Sequence, residues 1–336
     1  MTSMKNVVVV GYGAMGKGIA ELLVEKQGIA LKAIIEKRQI ENEANLVNVK
    51  GDQIPLHKTI EEFDFSEIDL AIVAISSYLK VLYPTLEQLV KNKVNVITIG
   101  EEMAYPSIVD KELVDQLDQI AKENNVSILG TGINPGFIFD TLIVALTSTS
   151  FSVDQIKAIR ANDLSAFGVT VLDSQGVGCT VEEYEEKEKT GEVVGHIGFP
   201  QSVHMIAEAL GWEIDEVIEE KRPIISTETL ELKDRTIKPG MVKGCDHRVI
   251  AKSNGNVVID FQHPQQVYPE KTKDEINIIG TPDIHLTITP EIPGGIGTIA
   301  IAVNVIPLLL NAKAGMLSML DLPGLPSIFR NGVVNV

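Results

Sequence analysis

Six residues near the start of the chain have the types and spacing to hold a phosphate. Gly11, Tyr12, Gly13, Ala14, Met15 and Gly16 follow four consecutive valines, Val7 to Val10, and lead into a segment of helical character. In a Gly-x-Gly-x-x-Gly turn the first glycine permits the tight bend and the second lets backbone approach a pyrophosphate. The third lets the helix pack against the strand. Amide groups at that helix start would face the phosphates. Glu36 comes 20 residues after Gly16, where a carboxylate can accept hydrogen bonds from ribose hydroxyls and select NAD. Lys37 and Arg38 follow at once, and a cation there suits the extra phosphate of NADP. The pattern calls for a nicotinamide dinucleotide, NAD or NADP, with dual use open.

In a doubly wound sheet, ligands sit beyond the carboxyl ends of the strands. That rule selects Ser76 and Ser77, then Glu101 and Glu102, then the run Gly130 to Asn134. Adjacent carboxylates at a strand end point in different directions, so one of the glutamates is expected to face the crevice. There it could hold an ammonium or act as acid or base on a carbonyl, its pKa raised by burial. The alternative is that both acids favour the start of the next helix electrostatically. Arg160, Asn162 and Asp163 form a polar group expected to end a strand, Ile156 to Ile159, and could read a carboxylate or an amine. His196, His204, His247 and His263 are scattered along the chain; a lone histidine is more often a packing residue than a catalyst.

The elements that must position these residues are legible as periodicity. Strand-length apolar runs at Val7 to Val10, Leu31 to Ile35, Leu70 to Ile75, Val94 to Ile99 and Val126 to Leu129 alternate with helical segments Met15 to Lys26, Leu79 to Lys91 and Ile108 to Asn124. This is the βαβ pattern of a buried parallel sheet. After about Ser150 the texture changes: a helix near Gln201 to Ala209 precedes alternating strands from Glu228 to Thr289. Ser253 to Asn256 provide a hairpin turn. The fold class expected is α/β, a Rossmann-type doubly wound parallel sheet with a second α+β domain built on a mostly antiparallel sheet. Residues 1–145 would bind dinucleotide, 146–295 would bind substrate and dimerise, and 296–336 would pack back as a helix and a Pro- and Gly-rich tail that includes Pro326.

Composition narrows the partners. The chain has 336 residues, enough for two domains, with 44% hydrophobic and 22% charged residues, which is ordinary globular usage. A net charge of −17 repels phosphate backbones and anionic membranes, leaving a small molecule as the expected ligand. Cys179 and Cys245 are the two cysteines, and with no metal-ligand spacing neither a disulfide framework nor a metal site is expected. Met1 to Lys5 run into the first strand without the pattern of an export signal, which favours a cytoplasmic location. The apolar stretch Ile296 to Leu310, interrupted by Gly297, Asn304 and Pro307, is read as a buried helix.

Five segments together carry a resemblance: the GYGAMG turn, GEEMAYP from Gly100, GTGINPGFIFDTL from Gly130, RANDLSAFG from Arg160 and GHIGFPQS from Gly195. With the apolar IAVNVIPLLLNAKAG from Ile301, the sequence resembles the 2,4-diaminopentanoate dehydrogenase family over nearly its whole length. The resemblance implies an NAD(P)-dependent oxidative deaminase of ornithine breakdown, converting a 4-amino group to a ketone. A homodimer is expected separately, since many two-domain dehydrogenases pair through their second-domain sheets. It implies that Glu102 is the catalytic carboxylate. Glu101, Asn134, Arg160, Asn162 and His196 are then the expected substrate readers in an interdomain cleft. Alternatives are an amine dehydrogenase on simple amines, a reductase of the dihydrodipicolinate type, and a non-catalytic NAD(P) sensor. The reductase calls for clustered basic residues and a histidine pair in the second domain, and the sequence displays no such cluster.

Overall fold

A computed structural model describes residues 4–38, 45–325 and 327–328. The chain forms two compact units, Met1–Phe137 with Gly294–Val336, and Ile138–Pro293. Pro326 and residues 329–336, part of the expected tail, lie outside the described residues.

The first unit contains β1 (Lys5–Val10), α1 (Ala14–Leu23), β2 (Ile29–Ile35), β3 (Leu46–Val49), β4 (Asp52–His57), β5 (Leu70–Val73), α2 (Leu79–Lys91), β6 (Asn95–Thr98), α3 (Lys111–Glu123) and β7 (Ser127–Gly130). Val7, Val8, Val9, Leu70, Ala71 and Ile72 are fully buried, because the parallel strands carry helices on both faces and read as unbroken apolar runs. Leu79, Leu82, Leu86 and Leu89 of α2 are buried as well, at the helical spacing that makes one apolar face. The helix expected from Ile108 starts at Lys111, since Pro106–Ile108 forms a 3-10 turn and the Asp110 side chain accepts from the Leu113 amide at 3.2 Å as a cap. The hairpin of β3 and β4 was absent from the sequence expectation. It turns at Lys50 and Gly51, φ +50° and +105°, and delivers residues 57–59 beside the end of β2.

The second unit begins with α4 (Thr141–Thr147) and continues through β8 (Ser152–Asp163), α5 (Val169–Ser174), α6 (Val181–Thr190), α7 (Phe199–Leu210), β9 (Glu216–Ile225), β10 (Leu230–Glu231), β11 (Thr236–Ile237), β12 (Val242–Ser253), β13 (Asn256–Gln266), β14 (Lys273–Thr281) and β15 (Ile284–Ile288). Six of these strands form one sheet in the order β15-β14-β8-β13-β12-β9. Every pair is antiparallel except β13 with β8. The expected turn is present, with Asn254 and Gly255 at φ +49° and +74°, the left-handed pair that a tight hairpin requires. Residues 138–145 lie in this unit: Phe139 stacks on Phe261 and Phe199 at centroid distances of 4.8 and 5.6 Å.

One strand corrects the sequence expectation. β8 runs on to Asp163, so Arg160, Asn162 and Asp163 lie within it and not at a turn after it. Pairing on both sides sustains the strand, with Arg160 opposite Asp274, Asn162 opposite Gln265 and Asp163 opposite Gln266. Arg160 and Asn162 consequently point to the same, buried face.

The chain then returns to the first unit as α8 (Gly294–Asn304), α9 (Ile306–Leu309) and β16 (Gly315–Leu317). The single helix expected here divides at Val305, and Pro307 sits in the first turn of the second piece. β16 extends the large sheet, giving the order β16-β7-β6-β5-β1-β2-β4-β3, parallel except for β3 against β4. Both sheets match the α/β class expected, a doubly wound parallel sheet and a mostly antiparallel one.

Candidate functional site

The glycine turn between β1 and α1 has the shape its sequence requires. Gly11 has φ +92°, and a Cβ on it would lie 2.5 Å from the Ala74 carbonyl oxygen. A Cβ on Gly16 would lie 1.9 Å from the Gly11 carbonyl oxygen. At Gly13 the nearest atom to such a Cβ is the Arg38 Nη2 at 3.5 Å, so this position is open for a pyrophosphate to approach backbone. Gly13 is the N-cap of α1 and no side chain caps that end, which leaves the helix start available to an anion.

Glu36, 6% exposed, stands beside this turn. Its Oε2 accepts from the Tyr12 amide at 2.8 Å and from Arg38 Nη2 at 2.7 Å; its Oε1 accepts from the Arg38 amide at 2.9 Å and Nε at 3.1 Å. These bonds, the Arg38 side chain foremost, hold its carboxyl down to about 2 against the pull of burial. A cavity of about 720 Å³ is lined by Gly13, Glu36, Lys37, Arg38, Lys58 and Thr59, with apolar walls from Ile35, Ile60, Ile75, Val81 and Pro84. The open glycine, the carboxylate at the end of β2 and the apolar walls fit a dinucleotide's pyrophosphate, ribose and adenine. Sequence reasoning missed Lys58 and Thr59, because they follow β4, whose pairing of His57 with Ile35 no spacing rule reveals.

The ends of β5 and β6 bring four expected residues together. The Glu102 amide donates to the Ser77 carbonyl at 3.1 Å, and the Ser76 Oγ accepts from the Tyr78 amide at 3.2 Å. Glu101 and Glu102 open a 3-10 turn, where their side chains diverge. Glu102 Oε2 accepts from the Leu79 amide at 2.7 Å, which fixes its carboxylate on the first turn of α2. Burial raises the Glu101 pKa; a hydrogen bond with the Ser77 side chain opposes that shift and the charge of Glu102 adds to it. After β7, Asn134 is 8% exposed with Oδ1 and Nδ2 both buried and unbonded, the condition of a side chain that meets its partner in a ligand.

In the second unit the sheet face gathers residues far apart in sequence. Arg160, 2% exposed, pairs through Nη1 with Asp274 and donates from Nη2 to the Ile292 carbonyl at 2.6 Å. Asp274 closes the loop by accepting from the Ile292 amide at 2.9 Å. Arg160, one of the expected substrate readers, thus has its guanidinium engaged by Asp274 and the Ile292 carbonyl. His196 and His263 rings lie 4.8 Å apart. His247 Nδ1 accepts from the His196 amide at 2.9 Å, so its Nε2 carries the hydrogen and faces Glu219 Oε2 at 3.0 Å. Three histidines thus cluster where the sequence displayed no cluster. Their meeting depends on the register of β12 and β13, in which His247 is opposite His263.

Among the described residues there is no group of three His, Cys, Asp or Glu placed to hold a metal, and no helix long and apolar enough to cross a membrane. The family model of the 2,4-diaminopentanoate dehydrogenase C-terminal domain matches residues 137–334. A 2,4-diaminopentanoate dehydrogenase of Acetoanaerobium sticklandii is 37% identical over 327 residues, spanning 94% of this chain and 93% of its own length. An amine dehydrogenase from Mycobacterium smegmatis shares the fold at a TM-score of 0.80 and 24% identity, covering 97% of this chain and 98% of that one. A probable dehydrogenase from Thermotoga maritima does so at 0.60 and 15%, covering 94% and 92%. By the length of the domain match and the identity sustained along nearly the whole sequence, the chain belongs to the 2,4-diaminopentanoate dehydrogenase family.

Proposed function

We propose that this protein catalyses the NAD(P)-dependent oxidative deamination of 2,4-diaminopentanoate at its 4-amino group, giving 2-amino-4-oxopentanoate and ammonia. It is an oxidoreductase of a family of dehydrogenases, and its cofactor is a nicotinamide dinucleotide, for which Gly11 to Gly16, Glu36, Arg38, Ser76 and Ser77 are the binding residues. When bound, that cofactor supplies the hydride acceptor. The observation that carries the reading is the carboxylate pair Glu101 and Glu102 at a strand end of the unit that also carries the glycine cradle.

Glu102, its Oε2 fixed by the Leu79 amide, holds the substrate nitrogen as the reacting carbon loses hydride and an iminium forms. Water adds to that carbon, and Glu101, whose pKa burial raises, takes and returns the proton as the carbon–nitrogen bond breaks. The balance is one protonated amine, one oxidised cofactor and one water in; one ketone, one ammonium, one reduced cofactor and one proton out. Asn134, Asn162 and His196 are the substrate readers in this account, while Arg160 positions β8.

For the phosphate state of the cofactor we infer use of both forms. Glu36 suits the ribose hydroxyls of NAD, whereas Arg38, Lys37 and Lys58 surround the same cavity and suit the extra phosphate of NADP. A homodimer and a cytoplasmic location complete the reading; sedimentation equilibrium and cell fractionation test them. The product identifies the reaction: mass spectrometry should find a 4-ketone that retains its 2-amino group, with ammonia equal to the reduced cofactor formed. A product that loses the 2-amino group would refute the assignment.

A further inference from the structure

The peptide group that joins Gly195 to His196 is held at both poles. Its carbonyl accepts from Gln175 Nε2 at 2.7 Å, and its amide donates to His247 Nδ1 at 2.9 Å. Gly195 has φ +67°, and a Cβ on it would lie 2.7 Å from that same Nδ1, so glycine is what lets the backbone come this close to the ring. Behind each partner stands a second residue. Gln265 Nε2 donates to Gln175 Oε1 at 3.4 Å, and His247 Nε2 faces Glu219 Oε2 at 3.0 Å. One chain of hydrogen bonds thus runs from Gln265 on β13, through the peptide, to Glu219 on β9.

The Glu219 end has a specific task. A backbone amide donates, so His247 Nδ1 must offer a lone pair and the ring carries its hydrogen on Nε2. An ionised carboxylate can only accept, and Glu219 is the group that selects this tautomer. Its carboxyl is held below the ordinary value, first by the hydrogen bond with His247, against the opposing effect of burial. The His247 ring is buried, with Phe199 edge-on at a centroid distance of 4.9 Å. Register supplies the alignment: His247 is opposite Lys221 on β9, and Glu219 lies two residues from Lys221, on the same face. Without the carboxylate the imidazole is free to place its hydrogen on Nδ1, donor against donor, and the peptide loses one of its two anchors.

We propose that Glu219, acting through His247, is a positioning residue that orients the peptide between Gly195 and His196 and so aims the His196 side chain at the substrate. Neither Glu219 nor His247 touches substrate in this account. The inference rests on the reading of His196 as a substrate reader and adds what holds that residue in place.

Hydrogen exchange at the His196 amide, followed by NMR, reports the anchor without any substrate. Glu219→Leu should speed exchange there about tenfold or more and leave the amides of α7 unchanged. In turnover it should raise the KM for 2,4-diaminopentanoate about tenfold or more, with kcat lowered less than threefold and NADH affinity unchanged within twofold. Glu219→Gln keeps an acceptor for Nε2 and should bring both readings to within threefold of the parent. His247→Asn offers its own oxygen to the amide and does not reach Glu219, so in that background Glu219→Leu should add no further loss. A pair that only stabilised the fold would lower Tm without splitting KM from kcat. Unchanged exchange at His196 in Glu219→Leu, a kcat that falls as far as KM rises, or a full further loss in the His247→Asn background would overturn the proposal. If exchange responds as stated and the unaltered protein oxidises no amine, the anchoring by Glu219 stands and the deaminase reading falls.

Discussion

The guanidinium of Arg38 lies on the carboxylate of Glu36, with Nη2 to Oε2 at 2.7 Å and Nε to Oε1 at 3.1 Å. The Glu36 side chain is 5% exposed and that of Arg38 67%, so the pair joins a buried, backbone-anchored acid to an exposed, solvated cation. Arg38 can leave the pair without disturbing the Tyr12 amide bond that holds Glu36. This makes Arg38 the group that answers to the cofactor's phosphate. Arg38→Ala should raise the KM for NADP about tenfold or more, the weight of one charge-assisted contact to phosphate, and change that for NAD less than threefold. Equal effects on both cofactors would disprove the assignment, and steady-state kinetics with each cofactor decides it.

The same pair makes the first unit acid-sensitive. Glu36 is held down to about 2 in the folded protein, below its unfolded value of roughly 4.3. Its stabilising contribution is fully present above the unfolded value and is lost as pH falls toward about 2. With a solvated partner the contribution is on the order of 1–2 kcal/mol. Glu36→Gln should therefore lower Tm at pH 7 and converge with the parent near pH 2, as followed by thermal unfolding at stepped pH. A gap that persists unchanged at acid pH would show that the carboxylate's charge is not the cause.

Gly16 faces the Gly11 carbonyl so closely that a Cβ would sit 1.9 Å from its oxygen. Gly16→Ala must push α1 away from β1 or distort the turn, at a cost of about 1–3 kcal/mol, and should abolish tight dinucleotide binding. Gly13→Ala, where the same atom is 3.5 Å from a flexible guanidinium, should fold normally and weaken dinucleotide binding alone. Fluorescence titration with NADH separates the two outcomes.

Glu101 and Glu102 differ in environment, and their variants should differ in kinetics. Glu102→Gln should lower kcat by at least a hundredfold, within the range general acid–base groups contribute, with dinucleotide affinity intact. Glu101→Gln should remove the ionisation that burial displaces upward, flattening the acid limb of the kcat profile above the ordinary carboxylate range. Near-normal turnover in Glu102→Gln would remove it from the mechanism.

Arg160→Leu leaves Asp274, 1% exposed, as an uncompensated buried charge. A loss of about 3–5 kcal/mol is expected, read as a lower denaturation midpoint. Replacing both residues, as Arg160→Leu with Asp274→Leu, should recover much of it. A single variant as stable as the parent would mean the pair holds nothing.

Much of the first unit could be read directly from residue order. Its glycine turn, its uniformly apolar strands and the carboxylate 20 residues beyond Gly16 are local features with local causes. The β3–β4 hairpin escaped, and Lys58 and Thr59 with it, because its strands are short and polar-flanked. The second unit's site was scattered for a different reason. Arg160 and Asp274 are 114 residues apart, and His196, His247 and His263 meet through strand register that no pairwise spacing encodes. Period-two alternation of Ile259, Phe261, His263 and Gln265 was present in the sequence and would have placed His263 on the buried face.

The most direct test of the account is the initial rate of NAD and NADP reduction by the purified protein with 2,4-diaminopentanoate, set against ornithine and pentan-2-amine. The account predicts reduction with the diamino acid, a kcat/KM at least a hundredfold below it for pentan-2-amine, and none with ornithine, whose carbon at the corresponding position bears no amine. A rate with pentan-2-amine equal to or above that with the diamino acid, or no rate with 2,4-diaminopentanoate under either cofactor, would contradict it.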